Sequence, residues 1–339
     1  MDSAEHIINQ ITKHPNCKAI ITTHHKPDAD ALGSSLGLLH FLEKLSIQTT
    51  VISPTDFAGF LSWMPQSSKI CIFEENEPNA EKLCLEADFI FCLDFNNLSR
   101  INKLGDIVQK TKAQKILIDH HQFPQSFEQL NFWDEKASST CELIYRLITE
   151  SKNTHLIDKN IASCLYAGIM TDTGSFRFSN CTAQTHKIAA HLMDYDINHV
   201  AIHDKLHDSF TLDRVRFIGY AISQKLEVLE EFNTALITIN KDELKQYNIK
   251  TGDTEGLVNY GLSIQGIKFA ALIIDRTQLV KMSFRSKGNF PANIFASKFF
   301  NGGGHFNAAG GSSESSLEDT VNKFRDALTQ FKGQLNEEK

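Results

Sequence analysis

The sequence predicts an open, mostly parallel α/β sheet followed by a second domain, and three observations support this prediction. Short apolar runs at three places each end in Asp or His, as buried strands of a parallel sheet do when they lead into a ligand site. Segments with helical periodicity lie between these runs. The chain has 339 residues, and strand patterns predominate beyond residue 231. We therefore expect domains at 1–200 and 232–339, joined by a helical linker over 201–231.

The composition indicates a globular chain that does not bind duplex nucleic acid nonspecifically. Hydrophobic residues make up 41% and charged residues 22%, and the formal net charge is −7. Tight nonspecific binding of duplex nucleic acid relies on many Lys and Arg contacts, so it is not expected here. Small anionic substrates are still compatible with this net charge, because bound divalent metals would make the site locally positive. The sequence shows no basic and apolar leader pattern at its start. Its apolar runs are all shorter than the roughly 20 residues that a membrane helix needs. We therefore expect a cytoplasmic protein with no membrane contact.

The first third of the chain alternates between helix and strand patterns. Apolar residues at helical spacing predict a helix from Ala4 to Lys13, and Ala19 to Thr23 reads as the first strand. Leucines four or three residues apart, from Leu32 to Leu42, then predict an amphipathic helix that ends near Leu45. Shorter patterns predict two strands at 49–52 and 70–73 and a helix within the acidic stretch 74–88.

Two further strand patterns and three helix patterns complete the first domain. The strands, 87–94 and 115–119, are continuous apolar runs that end in a carboxylate. Ser139 and Glu142 have the spacing of a capping box, which predicts a helix through Leu147. Helices are also predicted over 158–170 and 185–193.

Strands predominate beyond the charged, helical stretch 201–231. The patterns there predict strands at 234–239, 268–274 and 280–285, a short helix near 294–299 and a terminal helix from Leu317.

A cluster of polar side chains follows the first predicted strand. His24, Asp28 and Asp30 come directly after it, and Pro27 disfavours a helix at this point, so a loop can bring the three together. Carboxylates with an occasional imidazole are the ligands of hard divalent cations such as Mn²⁺ or Mg²⁺. An Asx-rich turn that caps the helix beginning near Ala31 explains this stretch equally well by itself.

Other strands and one helix end in the same kind of residue, which favours the metal interpretation. Taken singly, Asp94 fits a helix N-cap and the pair His120–His121 a surface turn. Three strand ends with Asp or His at one edge of a sheet are hard to ascribe to chance. Two ions about 3.5–4 Å apart, sharing one carboxylate, suit phosphoryl transfer. Six side chains supply enough ligands for such a pair: His24, Asp28, Asp30, Asp94, His120 and Asp172.

These motifs together resemble a known family. Asp119-His120-His121, with His24-x-x-Pro27-Asp28-x-Asp30 before it and Asn301-Gly-Gly-Gly-His305 after it, is similar to the DHH/DHHA1 phosphoesterases. Within them it resembles most closely the NrnA-like nano-RNases that also act as pAp phosphatases. The resemblance covers about residues 5 to 330. It implies a doubly wound DHH domain, a helical arm and a smaller α/β DHHA1 domain, with the active site in a cleft.

The resemblance also implies roles for individual residues. Asp119 is expected to orient an imidazole and His121 to face the scissile phosphate, and both count as catalytic residues. Mn²⁺ is the expected ion, with Mg²⁺ or Co²⁺ as alternatives. The implied metal sites share Asp94, one of them with His24 and Asp28, the other with Asp30, His120 and Asp172.

The glycine motif near the end of the chain is a candidate substrate clamp. Gly302, Gly303 and Gly304 lack side chains, so their N–H groups can approach an anion, and His305 adds a donor. A flexible turn is the alternative for this motif alone.

Three arginines are candidates for holding a substrate phosphate. Arg285 can bind a terminal phosphate through two N–H groups, an assignment that the family resemblance supports, whereas the strand pattern alone predicts a solvated side chain. Arg177 and Arg100 are weaker candidates of the same kind.

The predicted function is a two-metal phosphoesterase that cleaves short single-stranded RNA or DNA oligonucleotides to mononucleotides, with pAp to AMP as a further expected reaction. Alternatives with the same fold are a phosphodiesterase for cyclic or linear dinucleotide second messengers and a processive exonuclease, which the acidic net charge disfavours. A nucleotide-sensing binding module is the non-enzyme alternative, and the intact ligand set argues against it. A homodimer is left open.

Overall fold

The chain folds into two compact units. A computed structural model describes residues 2–14 and 16–337, and the units divide between Ser209 and Phe210. The domain boundaries predicted at residues 200 and 231 stay a prediction. Within the described residues, every helix is too short or too polar to cross a membrane.

A six-stranded parallel sheet forms the centre of the first unit. The strand order is β3-β2-β1-β4-β5-β6, so the winding direction reverses between β1 and β4. All five neighbouring pairs are parallel. The predicted α/β fold class with a doubly wound sheet is thereby confirmed. The strands are β1 (Lys18–Thr23), β2 (Gln48–Ser53), β3 (Cys71–Ile72), β4 (Phe89–Leu93), β5 (Gln114–Asp119) and β6 (Leu130–Trp133).

Helices cover this sheet on both faces. Alternate residues of β1 show the division, since Ala19 and Ile21 join one apolar cluster while Ile20 joins the other. Because side chains alternate across a strand, a sheet buried on both faces reads as a continuous apolar run. The helices are α1 (Ala4–Thr12), α2 (Ala29–Lys44), α3 (Glu77–Leu85), α4 (Leu104–Lys110), α5 (Thr140–Glu150), α6 (Lys159–Asp172), α7 (Ala183–Met193) and α8 (His199–His207).

Glycines bring α2 and α6 into close contact. A Cβ atom on Gly33 would lie 2.5 Å from the carbonyl oxygen of Cys164, and one on Gly37 would lie 2.7 Å from Leu165. A Cβ on Gly168 of α6 would in turn lie 2.9 Å from the Cα of Asp30 in α2. Since helix backbones approach this closely only where side chains are absent, these glycines set the distance between the two helices.

The second unit is built on a mixed sheet. Its order is β11-β12-β10-β9-β8-β7, in which β8 and β9 are parallel and the other neighbours antiparallel. One face packs on a phenylalanine core, in which the ring centroids of Phe284 and Phe295 are 5.5 Å apart. The elements are α9 (Leu212–Tyr220), β7 (Leu226–Leu229), β8 (Thr234–Ile239), α10 (Lys241–Gln246), α11 (Leu257–Leu262), β9 (Phe269–Asp275), β10 (Val280–Ser286), α12 (Ala292–Phe299), β11 (Gly303–His305), β12 (Ala308–Ser313), α13 (Leu317–Thr329) and α14 (Lys332–Asn336).

Four strands differ from the sequence-based expectation, and one of them, Ala308–Ser313, pairs with β10 although no strand was predicted there. Leu226–Leu229 falls in the stretch predicted to be helical, but it pairs with β8 across a turn in which Asn233 has φ +46°. Gly303–His305, expected in a clamp or a flexible turn, forms an edge strand against β12. Leu130–Trp133 was not expected at all, because four residues are too few for a period to be recognised. In each case the partner strand, rather than local preference, decides the conformation.

The cysteines are reduced and largely buried, as their positions in apolar runs predicted. All seven are free thiols. Five are buried, whereas Cys71 and Cys181 are half-buried.

Gly33→Val is expected to destabilise the first unit. The new side chain meets the backbone of α6, and overpacking of this kind costs about 1–3 kcal/mol. For a unit of this size each kcal/mol lowers Tm by about 2–4 °C. Thermal unfolding followed by circular dichroism measures the shift. Gly59→Val is the matched control, since a Cβ there meets no atom within 4 Å. Equal Tm values for both variants would contradict close packing at Gly33.

Candidate metal centre

The predicted ligands of the first unit lie together at the carboxyl edge of the parallel sheet. This edge is where ligands bind in open α/β sheets, at the point where the winding direction reverses. His24 follows β1 and Asp94 follows β4, the two strands on either side of the reversal. His120 follows β5, and Asp172 is the last residue of α6. Chain segments far apart in sequence therefore converge on one site.

His24 faces two carboxylates through one ring nitrogen. Its Nε2 lies 3.4 Å from Asp94 Oδ2 and 4.0 Å from Asp28 Oδ1. Its Nδ1 donates a hydrogen bond of 2.9 Å to the carbonyl of His25. A proton held at Nδ1 leaves the Nε2 lone pair directed at the carboxylates, which is the tautomer of a metal-bound imidazole.

His120 repeats this arrangement with a second set of carboxylates. Its Nε2 lies 3.6 Å from Asp94 Oδ1, 3.6 Å from Asp172 Oδ2 and 3.8 Å from Asp30 Oδ2. Its Nδ1 donates to the carbonyl of Ala137 at 3.2 Å. Both histidines thus present Nε2 to oxygen atoms, and their ligand atoms with the carboxylates form two compact groups.

Asp94 places one carboxylate oxygen near each of the two histidines. Its Oδ2 is the oxygen near His24 and its Oδ1 the oxygen near His120. The residue has φ +62°, and its amide donates to Ile118 of the neighbouring strand. The short side chain of Asp tolerates this left-handed conformation better than most residues do. The sharp turn after β4 therefore places one carboxylate between the two histidines.

The N-terminus of α5 holds Asp30. The amides of Thr140 and Cys141 donate to its two oxygens at 2.7 and 2.9 Å, and the Thr140 hydroxyl donates to Asp94 at 2.9 Å. Amides in the first turn of a helix favour an anion. Sequence reasoning missed both residues as part of the site. The cap at Ser139, which accepts from Glu142 N, was the available signal, because it marks where the free amides begin.

Asp119 and His121 form a buried pair beside this site. His121 Nδ1 lies 2.7 Å from Asp119 Oδ1 and 3.7 Å from Asp94 Oδ1. Asp119 is fully buried, and its second oxygen has no hydrogen-bond partner in the described part of the chain. The contact with Asp119 fixes the orientation of the His121 ring and keeps a proton on Nδ1.

The electrostatics of the centre favour cations. Burial raises the pKa of Asp30, and the nearby charges of Asp94 and Asp172 raise it further. Burial also raises the pKa of Asp172 to about 6. Burial opposes ionisation of Asp94 too, but hydrogen bonds from His120 and His24 hold the pKa of this carboxyl well below its usual range. Among the described residues, no Lys or Arg forms an ion pair with these carboxylates.

The donor set fits divalent metal ions. Carboxylate oxygens and imidazole nitrogens are the ligands that Mn²⁺ and similar ions take in proteins. Buried carboxylates this close together cannot all ionise without positive charge between them. A pair of divalent cations would supply that charge.

Arg100 and Arg177 both lie in the first unit but in different surroundings. The carbonyl of Arg100 accepts hydrogen bonds from the amide and Nδ1 of His25, each 2.9 Å. Burial lowers the pKa of His24, the carboxylates of Asp94 and Asp28 raise it overall, and the charge of Arg100 opposes that rise with the smallest effect. Arg177 is exposed, and its Nε donates to the carbonyl of Gly174 at 2.7 Å. The structure thus brings Arg100, but not Arg177, into electrostatic contact with the centre.

Arg285 and His305 lie in one row across three strands of the second unit. Ala308 of β12 pairs with Arg285 of β10 on one side and with His305 of β11 on the other. Paired residues of antiparallel strands project to the same face of the sheet. Ala308 therefore contributes only a methyl group between the two polar side chains in this row.

The glycines beside His305 have different structural demands. A Cβ on Gly302 would lie 2.0 Å from the carbonyl oxygen of Gly310, and one on Gly304, with φ +140°, would lie 2.5 Å from that of Ala308. A Cβ on Gly303 would meet no atom within 4 Å. Close pairing of β11 with β12 therefore explains Gly302 and Gly304, whereas the space at Gly303 remains open to a ligand.

Two protein families match the chain, one in each unit. The DHH family, N-terminal domain, matches residues 18–169 and the DHHA1 domain matches residues 232–334. A crystal structure of an exopolyphosphatase-related protein from Bacteroides fragilis is 39% identical, with a TM-score of 0.92 and coverage of 98% of both chains.

Named relatives extend over most of the chain. The bifunctional oligoribonuclease and PAP phosphatase NrnA of Bacillus subtilis is 30% identical over 86% of this chain and 88% of that protein. The protein of the same name from Thermus thermophilus is 30% identical over 90% of this chain and 86% of its own. These matches confirm the resemblance that the sequence motifs indicated. The chain therefore belongs to the DHH/DHHA1 family of phosphoesterases.

Proposed function

We propose that this phosphoesterase uses two divalent metal ions to hydrolyse short oligonucleotides to mononucleotides, and pAp to AMP. The observation that carries the proposal is the position of Asp94, whose two oxygens face the two separate ligand groups. The names of the relatives that are 30% identical support the substrate class. We also propose Mn²⁺ as the ion and the cytoplasm as the location.

His24, Asp28 and Asp94 would hold one ion, and Asp30, Asp94, His120 and Asp172 the other. When bound, such a pair supplies a nucleophilic hydroxide at neutral pH and neutralises charge on the phosphoryl group. Thr140 and Cys141 keep Asp30 in position through their amides, so the second ligand group is supported by α5. Asp28 also caps α2 through the amides of Asp30 and Ala31, which fixes its Oδ1.

His121 is the residue we propose for proton exchange with the substrate. Its Nδ1 is committed to Asp119 at 2.7 Å, so Nε2 is the ring nitrogen that can face a phosphate or leaving-group oxygen. Asp119 fixes the orientation of the His121 ring through this contact, as a carboxylate behind a histidine does in other hydrolases. Asp119 is thus a positioning residue that acts through His121.

The second unit would hold the substrate. Arg285 offers a guanidinium suited to a terminal phosphate, and His305 adds a donor in the same row of the sheet. The open side of Gly303 leaves room for an anion near these groups. We propose that residues 232–339 act in this way as the substrate-binding domain, with Arg100 as a further phosphate contact from the first.

Asp94→Asn is expected to reduce kcat at least about a hundredfold, because a bridging carboxylate loses the charge that holds two cations. Metal analysis of the purified variant should show fewer than two bound ions, while the circular dichroism spectrum stays unchanged, since Asn tolerates the backbone conformation of Asp94. Asp194→Asn, at an exposed position after α7, is the control. Normal kcat and full metal content in Asp94→Asn would refute the two-metal assignment.

His305→Ala is expected to raise KM more than it lowers kcat. His305 belongs to the second unit and is not among the residues assigned to the ions, so its loss should weaken substrate binding. Steady-state kinetics on a dinucleotide separate the two constants, and His6→Ala on the exposed side of α1 is the control. A loss confined to kcat would instead place His305 among the groups that act on the reacting phosphate.

Hydrolysis is expected to be fastest on substrates of about two to five nucleotides, since longer strands need a basic track that a chain of net charge −7 does not suggest. Purified protein with Mn²⁺ and fixed salt should be tested on 5′-labelled 2-mers, 5-mers and 24-mers, with pAp, cyclic dinucleotides and inorganic polyphosphate in parallel. Equal kcat/KM across lengths would indicate a general exonuclease. Preference for a cyclic dinucleotide or polyphosphate would overturn the proposed substrate.

A further inference from the structure

Phe123 is an exposed aromatic ring in the segment that carries His121. The chain contains 24 phenylalanines. Within the described parts of the chain, three phenylalanines are exposed, namely Phe123 (83%), Phe178 (44%) and Phe306 (38%). Phe123 is by far the most exposed of these, although burying such a ring is among the largest single gains available to a folding chain.

The backbone holds Phe123 outward in an unfavourable conformation. Its φ is +57°, in the left-handed region that a bulky residue rarely adopts. A conformation of this kind persists only where the surrounding structure determines it, and it is most frequent at functional sites.

Hydrogen bonds on both sides of Phe123 fix this segment. The indole N–H of Trp133 donates to the carbonyl of His121 at 2.7 Å, and the side-chain Nδ2 of Asn96 donates to the carbonyl of Gln122 at 2.6 Å. The amide of Gln125 donates back to the carbonyl of Asn96 at 2.8 Å. The segment is therefore built to present the ring.

Phe127 of the same segment shows that an apolar packing contact is available nearby. It stacks on the buried Phe95 with ring centroids 6.1 Å apart. No ring of the described residues stacks on Phe123 in this way. The two phenylalanines, four residues apart, thus differ, since Phe127 is half-buried against an apolar cluster and Phe123 is exposed to solvent.

Phe123 lies close to His121, the residue proposed to face the reacting phosphate. It follows His121 by two residues, and a chain extends at most about 3.6 Å per residue, so the two Cα atoms are within about 7 Å of each other. A base attached to a phosphate that faces His121 would pass close to this ring.

We propose that Phe123 stacks on a nucleobase of the substrate and so selects nucleotides over other phosphate esters. This inference rests on the proposed function and adds a contact in the first unit that reads the base rather than the phosphate. Stacking on an aromatic ring tolerates every base, because each has a π-face. A single ring flanked by Gln122, Pro124 and Gln125 suits one base, whereas a protein partner would need an apolar surface of about 1,000 Å² or more.

The test compares three variants on substrates with and without a base. Phe123→Ala and Phe123→Leu should raise KM for a diadenylate about fivefold to a hundredfold, whereas Phe123→Tyr should keep it near the wild-type value. Dinucleotide analogues that lack one base identify the base that stacks. On the analogue without that base, the Ala variant and the wild-type protein should have similar KM values. Leu85→Ala is the control, because Leu85 is also exposed but precedes β4 at the opposite edge of the sheet.

Several results would overturn the proposal. An unchanged KM in Phe123→Ala would do so, as would equal losses on base-containing and base-free substrates, which would indicate a disturbed segment. A change in oligomeric state with normal KM would identify the ring as a protein contact.

A second measurement separates this proposal from the proposed function. If the wild-type protein hydrolyses no oligonucleotide, the proposed function fails, and Phe123→Trp then decides the role of the ring. Its fluorescence should be quenched by AMP but not by ribose 5-phosphate. Equal quenching by both ligands, or none, would exclude base stacking at this position.

Discussion

The structure of the first unit depends on the convergence of buried carboxylates at one edge of a parallel sheet. Asp30, Asp94 and Asp172 come from different elements and lie within 4 Å of a single imidazole nitrogen of His120. Burying so much negative charge is unfavourable unless donors and cations compensate it. The amides at the start of α5, the histidines and the proposed metal ions together provide that compensation, so ligand binding and the folded arrangement support each other.

The packing of the helices serves this convergence. α2 begins at the metal loop and α6 ends at Asp172, and the glycines at their contact bring them close together. At Gly168 a Cβ would lie 2.8 Å from Asp30 Oδ1 and 2.2 Å from Cys141 Sγ. Asp30 therefore takes part in the helix contact and in the ligand group. A change in core packing at this position would be felt directly at the carboxylate.

Much of the first unit and of its site could be predicted from the sequence. Continuous apolar runs that end in Asp or His identify buried strands and their ligand edge, because both signals are local. The support of Asp30 by Thr140 was not predictable, since the two residues lie 110 positions apart. The strands Leu226–Leu229 and Gly303–His305 were missed because their partners, rather than their own residues, determine them. The exposure of Phe123 could not be predicted either, because a single Phe in a sequence usually indicates a buried position.

The backbone conformation of Asp94 also bears on how this centre could change during evolution or redesign. At φ +62°, the position accepts Asp, Asn or Gly far more readily than a longer acid. Lengthening the bridge to Glu would strain the turn as well as move both oxygens. The spacing of the two ligand groups is thus encoded in the main chain. New ion preferences would have to arise through the other proposed ligands, at positions 24, 28, 30, 120 and 172.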